Sequence, residues 1–225
     1  MSVIPKIDEP DSEELRELYE RLSANPMGNL NIFRIMAYNP KLLRNWLRMA
    51  TPLLTGGLSL EPRLREIAIL RVAQNVRSDY EFGHDIPIAR AAGVTDEEIA
   101  ALKDFAESGC FSDLERAVVR YTDAVSLLHA GAPDLARELR RWLSDRELLE
   151  LSFCIGHWNM VARVVVPLEV EVDNSLEATL PEGWREWLCA RWARGKWQHM
   201  KASTRAVSEL FGMLRCSNGL LLSQP

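Results

Sequence analysis

Three acidic side chains and a histidine crowd into one short stretch of the sequence, and together they could carry acid–base chemistry. Glu66 interrupts an otherwise apolar segment, and Glu81, His84 and Asp85 follow it after a short break. A carboxylate and a histidine that share one helix turn can divide the duties of acid and base. Burial raises the pKa of a carboxyl group and makes it a usable proton donor. We therefore place a candidate active site here.

Both glutamates also have structural interpretations. Glu66 could form an ion pair on the helix surface with Arg63 or Arg77. The segment from Ser78 to Glu81 has the spacing of a capping box, in which the glutamate only reaches back to the backbone of the cap residue. A helix N-terminus also favours an anionic group or ligand, so the catalytic interpretation of Glu81 stays open beside the capping one.

The other polar residues give weaker signals. Two carboxylates and one histidine on a single turn could hold a metal ion, but such a trio is a weak metal signal, and we predict neither a metal nor a cofactor. His129 and His157 stand alone in helical segments, which is more typical of packing or surface histidines. The sequence contains no GxSxG, no phosphate-binding loop and no dinucleotide fingerprint.

Two predicted helices must position the candidate site. Pro62 suits the first turn of a helix whose apolar residues spread almost all round it, which predicts a helix buried on most sides. A break near Ser78 then predicts a second helix that runs to about Ala92, with Gly93 as its C-terminal cap.

Helical patterns fill the remainder of the chain. Capping-box spacings predict four further helix starts. They are Asp11 with Glu14, Thr95 with Glu98, Ser112 with Glu115, and Ser144 with Glu147. We find no convincing series of strands, and the sequence therefore predicts an all-α fold.

Composition narrows the classes of function. The chain has 225 residues, 47% of them hydrophobic, with a formal net charge of −5. An acidic chain is a poor partner for nucleic acid, and no apolar run approaches the roughly 20 residues that span a bilayer. The beginning of the chain lacks a leader pattern, so we expect a cytoplasmic protein without stable membrane insertion. The four cysteines form no CxxC, and we expect reduced thiols in or near the core.

Three regions differ in composition. Residues 1–11 form an irregular arm, residues 12–178 a helical domain, and residues 179–225 a basic, tryptophan-rich extension. The extension holds four of the seven tryptophans, of which Trp184, Trp187 and Trp192 could share a helix face with Leu188, while Trp197 follows them. It could pack on its own core or on a neighbouring subunit, or it could form a basic amphipathic helix at a membrane surface.

The sequence resembles the carboxymuconolactone decarboxylase family, whose best-known branch is the AhpD-type alkylhydroperoxidases. The resemblance covers roughly residues 10–175, and its most specific pieces are PRLREIAILRVA and YEFGHDIPIARAAGVTDEEI. It implies a compact multi-helix, AhpD-like orthogonal bundle. It also implies a homo-oligomer, a trimer or hexamer, with sites near the subunit interfaces.

The resemblance assigns roles to individual positions. In the hydroperoxidase branch a glutamate completes a proton relay, and that glutamate corresponds to Glu66. The two cysteines of that branch correspond to Ser78 and Glu81, and its histidine corresponds to Asp85. Without a thiolate there is no nucleophile to attack a peroxide, so we do not expect a peroxidase. His84 lies one residue before Asp85, about 100° away around a helix.

The resulting hypothesis is a cofactor-independent lyase of the decarboxylase type. Its substrate would be a small carboxylated lactone or a related activated acid. Loss of carbon dioxide leaves an enolate-like charge, and Glu66 or Glu81 would protonate the carbon with help from His84 and Tyr80. Asp85 would complete the acid–base group.

A second set of residues would hold the substrate's anion. The helix N-terminus at Ser78, together with Arg71 or Arg77, could supply that binding. Two alternatives stay open, because a fold does not fix its chemistry. One is another proton-transfer reaction on the same groups, such as isomerisation or cyclisation. The other is a non-catalytic helical protein that acts in binding or assembly.

Overall fold

The computed structural model describes residues 2–24, 28–54 and 56–188, and the regular structure in these ranges is entirely helical. The predicted all-α fold is confirmed. The predictions for Trp192 and Trp197 lie outside the described residues. In the described ranges, no helix combines the length and the apolar character that crossing a membrane requires.

The described residues form eleven α-helices and one short 3₁₀ turn. The helices are α1 (Glu13–Ser23), α2 (Asn31–Met36), α3 (Pro40–Leu54), α4 (Pro62–Val76), α5 (Asp79–Ala91), α6 (Asp96–Ala101), α7 (Asp113–Ser126), α8 (Ala132–Leu139), α9 (Asp145–Val165), α10 (Asn174–Glu177) and α11 (Trp184–Leu188). The 3₁₀ turn, Leu102–Asp104, follows α6 directly.

Helix α4 is the centre of the bundle. Every residue from Leu64 to Gln74 is buried, and the helix packs against α5, α7 and α9. The prediction of a helix buried on most sides is therefore confirmed. Because an all-round buried helix has no solvent face, each polar residue on it needs a partner inside the protein. Glu66 lies in the middle of this helix.

A tight corner joins α4 to α5. Arg77 adopts the left-handed conformation with φ at 54°, and the Ser78 N–H donates to the carbonyl of Ala73 at 3.0 Å, which ends α4. The Ser78 hydroxyl then accepts a hydrogen bond from the Glu81 N–H at 3.3 Å and caps α5. The predicted restart at Ser78 is confirmed. This corner brings the middle of α4 and the first turns of α5 to the same part of the interior.

Three of the four capping boxes predicted outside this corner are confirmed. The serine or threonine hydroxyl and the glutamate carboxylate both make their reciprocal bonds at the starts of α6, α7 and α9. The prediction for Asp11 and Glu14 was wrong. The cap of α1 is Ser12, whose hydroxyl accepts from the Leu15 N–H, so the helix begins one residue later than the Asp11 spacing requires.

Two cysteines lie in the described part of the chain, and they differ. Cys154 is buried, as expected, but Cys110 is exposed in the connection before α7, so the expectation of a thiol in or near the core was wrong there. A connection that runs over the surface leaves its side chains in water.

Residues 180–188 pack against α5 and α6. The Trp184 ring stacks on Phe82 with centroids 6.3 Å apart, and the Gln74 side chain donates to the carbonyl of Trp187 at 2.8 Å. Gly83 makes this approach possible, because a Cβ atom there would lie 3.2 Å from both Leu180 and Trp184.

We therefore predict opposite effects for two helical glycines. Gly83→Ala should lower the free energy of unfolding by about 1–3 kcal/mol, because the methyl group enters a filled space. A Cβ atom at Gly156 meets nothing within 4 Å, so Gly156→Ala should raise the free energy of unfolding by up to about 1 kcal/mol through helix propensity. Urea unfolding followed by circular dichroism measures both. Equal effects of the two substitutions would contradict the packing described here.

Candidate functional site

A cavity of about 100 Å³ lies between α2, α3, α5 and α9. Its walls are mostly apolar and include Phe33, Trp46 and Val161. The side chains with polar atoms that line it are Trp46, Tyr80, Glu81, His84, Asp85, His157 and Trp158. Four predicted site residues of α5 thus meet at one cavity, which is the arrangement typical of a small-molecule site.

The Glu81 carboxyl is buried without a hydrogen-bond partner. The residue is only 2% exposed, and neither of its carboxylate oxygens has a hydrogen-bond partner among the described residues. Burial raises the pKa of Glu81 to about 8, although the Ser78 hydroxyl and the positive charge of Arg163 act in the opposite direction. A carboxyl group of this kind holds its proton at neutral pH and can release it just above.

The capping interpretation of Glu81 is only half realised. Ser78 accepts from the Glu81 N–H, but the Glu81 carboxylate does not reach back to the cap backbone. Glu98, Glu115 and Glu147 occupy the equivalent position in their helices, and each makes that return bond. The carboxyl group of Glu81 is therefore available to the cavity.

Asp85 is held one turn further along α5. The Trp158 indole N–H donates to its Oδ2 at 3.1 Å. Burial raises the pKa of Asp85 well above its usual range, and the negative charges of Glu66 and Glu81 raise it further. These effects favour the protonated form of Asp85, which can donate a hydrogen bond.

Glu66 lies behind Asp85 and does not line the cavity. It is fully buried, and its Oε1 accepts from the Arg65 Nε at 2.7 Å, while its Oε2 has no partner among the described residues. Burial raises the pKa of Glu66, and the Arg65 guanidinium opposes that shift. The structure therefore gives Glu66 an interior position next to Asp85.

The expected partners of Glu66 were wrong. Arg63 instead bridges Glu98 and Glu115, with nitrogen–oxygen distances of 2.6 and 2.7 Å. Arg65 pairs with Glu66 although the two are adjacent in sequence, a spacing that normally points side chains apart on a helix. No pattern in the sequence indicates this pair.

The hydrogen-bond partners of His84 differ from those of Asp85. Its Nε2 lies 3.0 Å from Asp173 Oδ2, and its Nδ1 lies 2.7 Å from the carbonyl of Tyr80. Asp173 also accepts from the Asn31 N–H at 3.0 Å and from the Tyr80 hydroxyl at 3.4 Å. Burial raises the pKa of Tyr80 well above its usual range, so its phenol stays neutral. This network ties α5 to the start of α2 and fixes one wall of the cavity.

The residues expected to hold an anion lie elsewhere. Arg71 forms a two-pronged ion pair with Asp123, at 2.6 and 2.9 Å. Arg77 is exposed at the corner between α4 and α5 and borders a separate surface hollow. Ser78 is buried as the cap of α5 and borders that same hollow. The structure thus separates all three from the cavity that Glu81 and Asp85 share.

His157 is a site residue that the sequence interpretation missed. It lines the cavity, is 6% exposed, and its Nδ1 has no hydrogen-bond partner among the described residues. Its ring stacks on Trp46 at 6.0 Å and meets the edge of Trp158 at 5.1 Å. Burial lowers the pKa of His157 to about 4, so the imidazole is neutral at physiological pH. Its position depends on contact with α3, which no spacing in α9 reveals.

The described ranges contain no candidate metal site. Nowhere in residues 2–24, 28–54 or 56–188 do three or more histidine, cysteine, aspartate or glutamate side chains form a group that could hold a metal ion.

Comparison with known proteins confirms the resemblance stated from the sequence. Residues 40–124 match the carboxymuconolactone decarboxylase family. The fold is similar to that of an uncharacterized peroxidase-related protein from Silicibacter sp. TM1040, with a TM-score of 0.67 and 16% identity, covering 78% of this chain and 93% of that chain. No curated protein matches the sequence.

Two further structures share the fold. One is an uncharacterized peroxidase-related protein with an alkylhydroperoxidase AhpD core from Ralstonia eutropha JMP134, with a TM-score of 0.66 and 14% identity, covering 78% of this chain and 94% of that chain. The other is a variant of the debrominase Bmp8 in complex with 2,3,4-tribromopyrrole, with a TM-score of 0.66 and 18% identity, covering 80% of this chain and 97% of that chain. At such identities the similarity shows an AhpD-like all-α fold, as predicted.

The buried carboxyl of Glu81 predicts a specific dependence of stability on pH. Its pKa rises from 4.5 to about 8 on folding, so the folded state binds more protons than the unfolded state between these values. Stability should therefore fall as pH rises from about 4.5 to 8, by up to about 5 kcal/mol from this one group.

Glu81→Gln should remove most of that loss, and the variant should be more stable than the parent above pH 8. Urea unfolding at a series of pH values measures the effect. Glu147→Gln is the matched control, since Glu147 holds the same position after its cap but is only partly buried. If the parent and Glu81→Gln lose stability in parallel from pH 5 to 8, the carboxyl of Glu81 is not the group described here.

Proposed function

We propose that this protein is an acid–base enzyme that moves a proton on a carbon atom of a small substrate held in the cavity of Glu81 and Asp85. The observation that carries the proposal is Glu81, a residue that borders the cavity and whose buried carboxyl oxygens have no hydrogen-bond partner among the described residues. Strongly perturbed carboxyl groups in a small cavity are typical of acid–base sites. The family match and the enzyme among the similar structures support an enzymatic role.

Glu81 would move the proton. With a pKa of about 8, both its protonated and ionised forms are populated near neutral pH, where a general acid–base group works best. The carboxylate form removes a proton from a carbon next to a carbonyl group, and the bonding electron pair moves onto the carbonyl oxygen. The resulting carboxylic acid returns a proton as the carbonyl re-forms, at the same carbon or, where the substrate has a conjugated double bond, at the far carbon of that bond. The cycle consumes no cofactor.

Asp85 would stabilise the intermediate. Its protonated carboxyl donates a hydrogen bond to the oxygen on which negative charge develops. Glu66 has a positioning role, because its charge behind Asp85 adds to the effect of burial in raising the pKa of that acid. Removing one such donor typically costs about 10²–10³ in rate. Tyr80 and His84 would hold the opposite wall through Asp173.

Decarboxylation of an activated acid is the second candidate, and the family match favours it. Loss of carbon dioxide from an acid with a carbonyl group at the β-carbon leaves the same enolate, which Glu81 in its protonated form would protonate on carbon. Arg71 and Arg77 have no part in this version, since neither reaches the cavity. A thiol-based peroxidase is not part of the proposal, because Ser78 and Glu81 stand where the hydroperoxidase branch has its cysteines and burial raises the pKa of Cys154 to about 12.

Assembly and location stay predictions. A homo-oligomer would suit the exposed apolar side chains along α9, at Leu149, Phe153 and Met160. These positions are spaced to lie along one side of the helix, where a second copy could pack. A cytoplasmic location also stays a prediction. A purely binding or assembly role remains the alternative to catalysis.

Deuterium exchange tests the proposal without the natural substrate. Small lactones and cyclic ketones, some with and some without a carboxylate, are incubated with the protein in D₂O, and exchange at the carbon next to the carbonyl is followed by NMR. Glu81→Gln should slow the catalysed exchange at least about 100-fold, and Asp85→Asn by about 10²–10³, because they remove the proton carrier and the hydrogen-bond donor.

Glu147→Gln, at a cap that does not touch the cavity, should leave the exchange rate unchanged. Carbon dioxide release from the carboxylated compounds, measured in the same samples, separates the two candidate reactions. Exchange that proceeds at the parental rate in a folded Glu81→Gln variant would refute the proposal.

A further inference from the structure

Burial disfavours charge on four of the side chains that line the cavity. It raises the pKa of Glu81, Asp85 and Tyr80 and lowers the pKa of His157. The nearby His84 ring is paired with the Asp173 carboxylate. An ion that entered this apolar space would give up its hydration without meeting an opposite charge, which is costly.

The arginines near the cavity already bond to other groups of the protein. Arg65 pairs with Glu66, and Arg163 donates to the carbonyl and the side-chain oxygen of Asn159, the latter at 3.0 Å. Neither lysine nor arginine occurs among the side chains that line the cavity in the described part of the chain. An anionic substrate would therefore find no counter-ion in the cavity walls, and Arg163, the nearby guanidinium without an acidic partner among the described residues, lies exposed outside them.

The same walls hold hydrogen-bonding groups that lack partners. Both Glu81 carboxyl oxygens and the Nδ1 of His157 are buried and unpartnered among the described residues. Unmade bonds of this kind are rare in folded proteins and are costly to leave unsatisfied. A protonated carboxyl can donate, and a neutral imidazole can accept. A ligand that satisfies both must itself accept and donate.

We infer that the cavity binds an uncharged, ring-sized molecule that offers both a carbonyl oxygen and an N–H or O–H group, as a lactam does, and that His157 accepts the hydrogen bond from that donor. The carbonyl receives its hydrogen bond from Glu81 or Asp85. The rings of Trp46 and Trp158, which frame His157, cover the faces of the ligand. Cavities of roughly this size hold a single small ring.

This inference names the substrate class of the proposed proton-transfer site and therefore rests on that proposal. It also changes the expectation from the sequence, because a carboxylated lactone is an anion. An uncharged carbonyl compound favours proton transfer within the substrate over loss of carbon dioxide.

A series of six-membered rings tests the charge and the hydrogen-bonding pattern separately. The probes are δ-valerolactam, N-methyl-δ-valerolactam, cyclohexanecarboxylate and cyclohexylammonium, and isothermal titration calorimetry at pH 7 measures their binding. δ-Valerolactam should bind most tightly. Its N-methyl form, which lacks the donor, should bind about tenfold more weakly, and both ions at least about tenfold more weakly still.

The His157→Phe variant tests the residue. A phenyl ring keeps the stacking on Trp46 but cannot accept a hydrogen bond, so the tenfold preference for δ-valerolactam over its N-methyl form should disappear. His129→Phe is the matched control, since His129 is exposed, and it should keep the preference. The comparison of the two lactams on the parent protein tests the donor requirement even if His157→Phe does not fold.

Binding of cyclohexanecarboxylate or cyclohexylammonium as tightly as δ-valerolactam would overturn the inference. So would a tenfold lactam preference that survives in a folded His157→Phe variant. These failures differ from failure of the proposed function. If the ligands bind in the predicted order but deuterium exchange does not depend on Glu81, only the proposed catalysis is refuted. If exchange depends on Glu81 but the ligands bind in a different order, only the ligand class is refuted.

Discussion

Three neighbouring carboxyl groups on α4 and α5 are buried together, and in the described part of the chain a single arginine touches one of them. Glu66, Glu81 and Asp85 are each at least 96% buried, and only Glu66 has a guanidinium beside it, from Arg65. Three ionised carboxylates could not coexist there, because burial and mutual repulsion both disfavour the charged form. Protonation of these acids removes the repulsion, and the chemistry that the cavity can perform follows from their protonated forms.

The helices determine which carboxyl group meets the cavity. Glu66 lies on α4, which is buried on every side, so its charge acts on Asp85 and not on a ligand. The tight corner at Ser78 turns the chain so that Glu81 and Asp85, one turn apart on α5, face α9. Helix α9 donates an indole N–H to Asp85, whereas it acts on Glu81 through the nearby positive charge of Arg163 and leaves the Glu81 carboxyl oxygens without a hydrogen-bond partner among the described residues. Glu81 and Asp85 therefore differ because α9 provides them with different partners.

Sequence patterns predicted the helices and grouped four candidate residues that the structure places at one cavity, but they did not predict the partners of those residues. Apolar periodicity and the Ser/Thr-x-x-Glu spacings depend on neighbours three or four residues away, and so the buried α4 and most helix starts could be read locally. The partners of the site depend on the packing of distant segments. Asp173 meets His84 from 89 residues away, and His157 becomes buried only because α3 packs Trp46 against it. Arg71 was misassigned for the same reason, since its partner Asp123 lies on α7.

Glu81 shows how one framework can support different chemistry. It occupies the position of a cysteine in the hydroperoxidase branch that the sequence resembles, in the first turn of α5. A helix N-terminus stabilises an anion there by only about 0.3–1 kcal/mol. The rise in the pKa of Glu81 from 4.5 to about 8 corresponds to about 5 kcal/mol in the opposite direction. Desolvation therefore outweighs the helix, and a position that favours an anion holds a proton donor instead. A carboxyl group that can exchange its proton near neutral pH needs neither a thiol nor a metal to act on a substrate carbon.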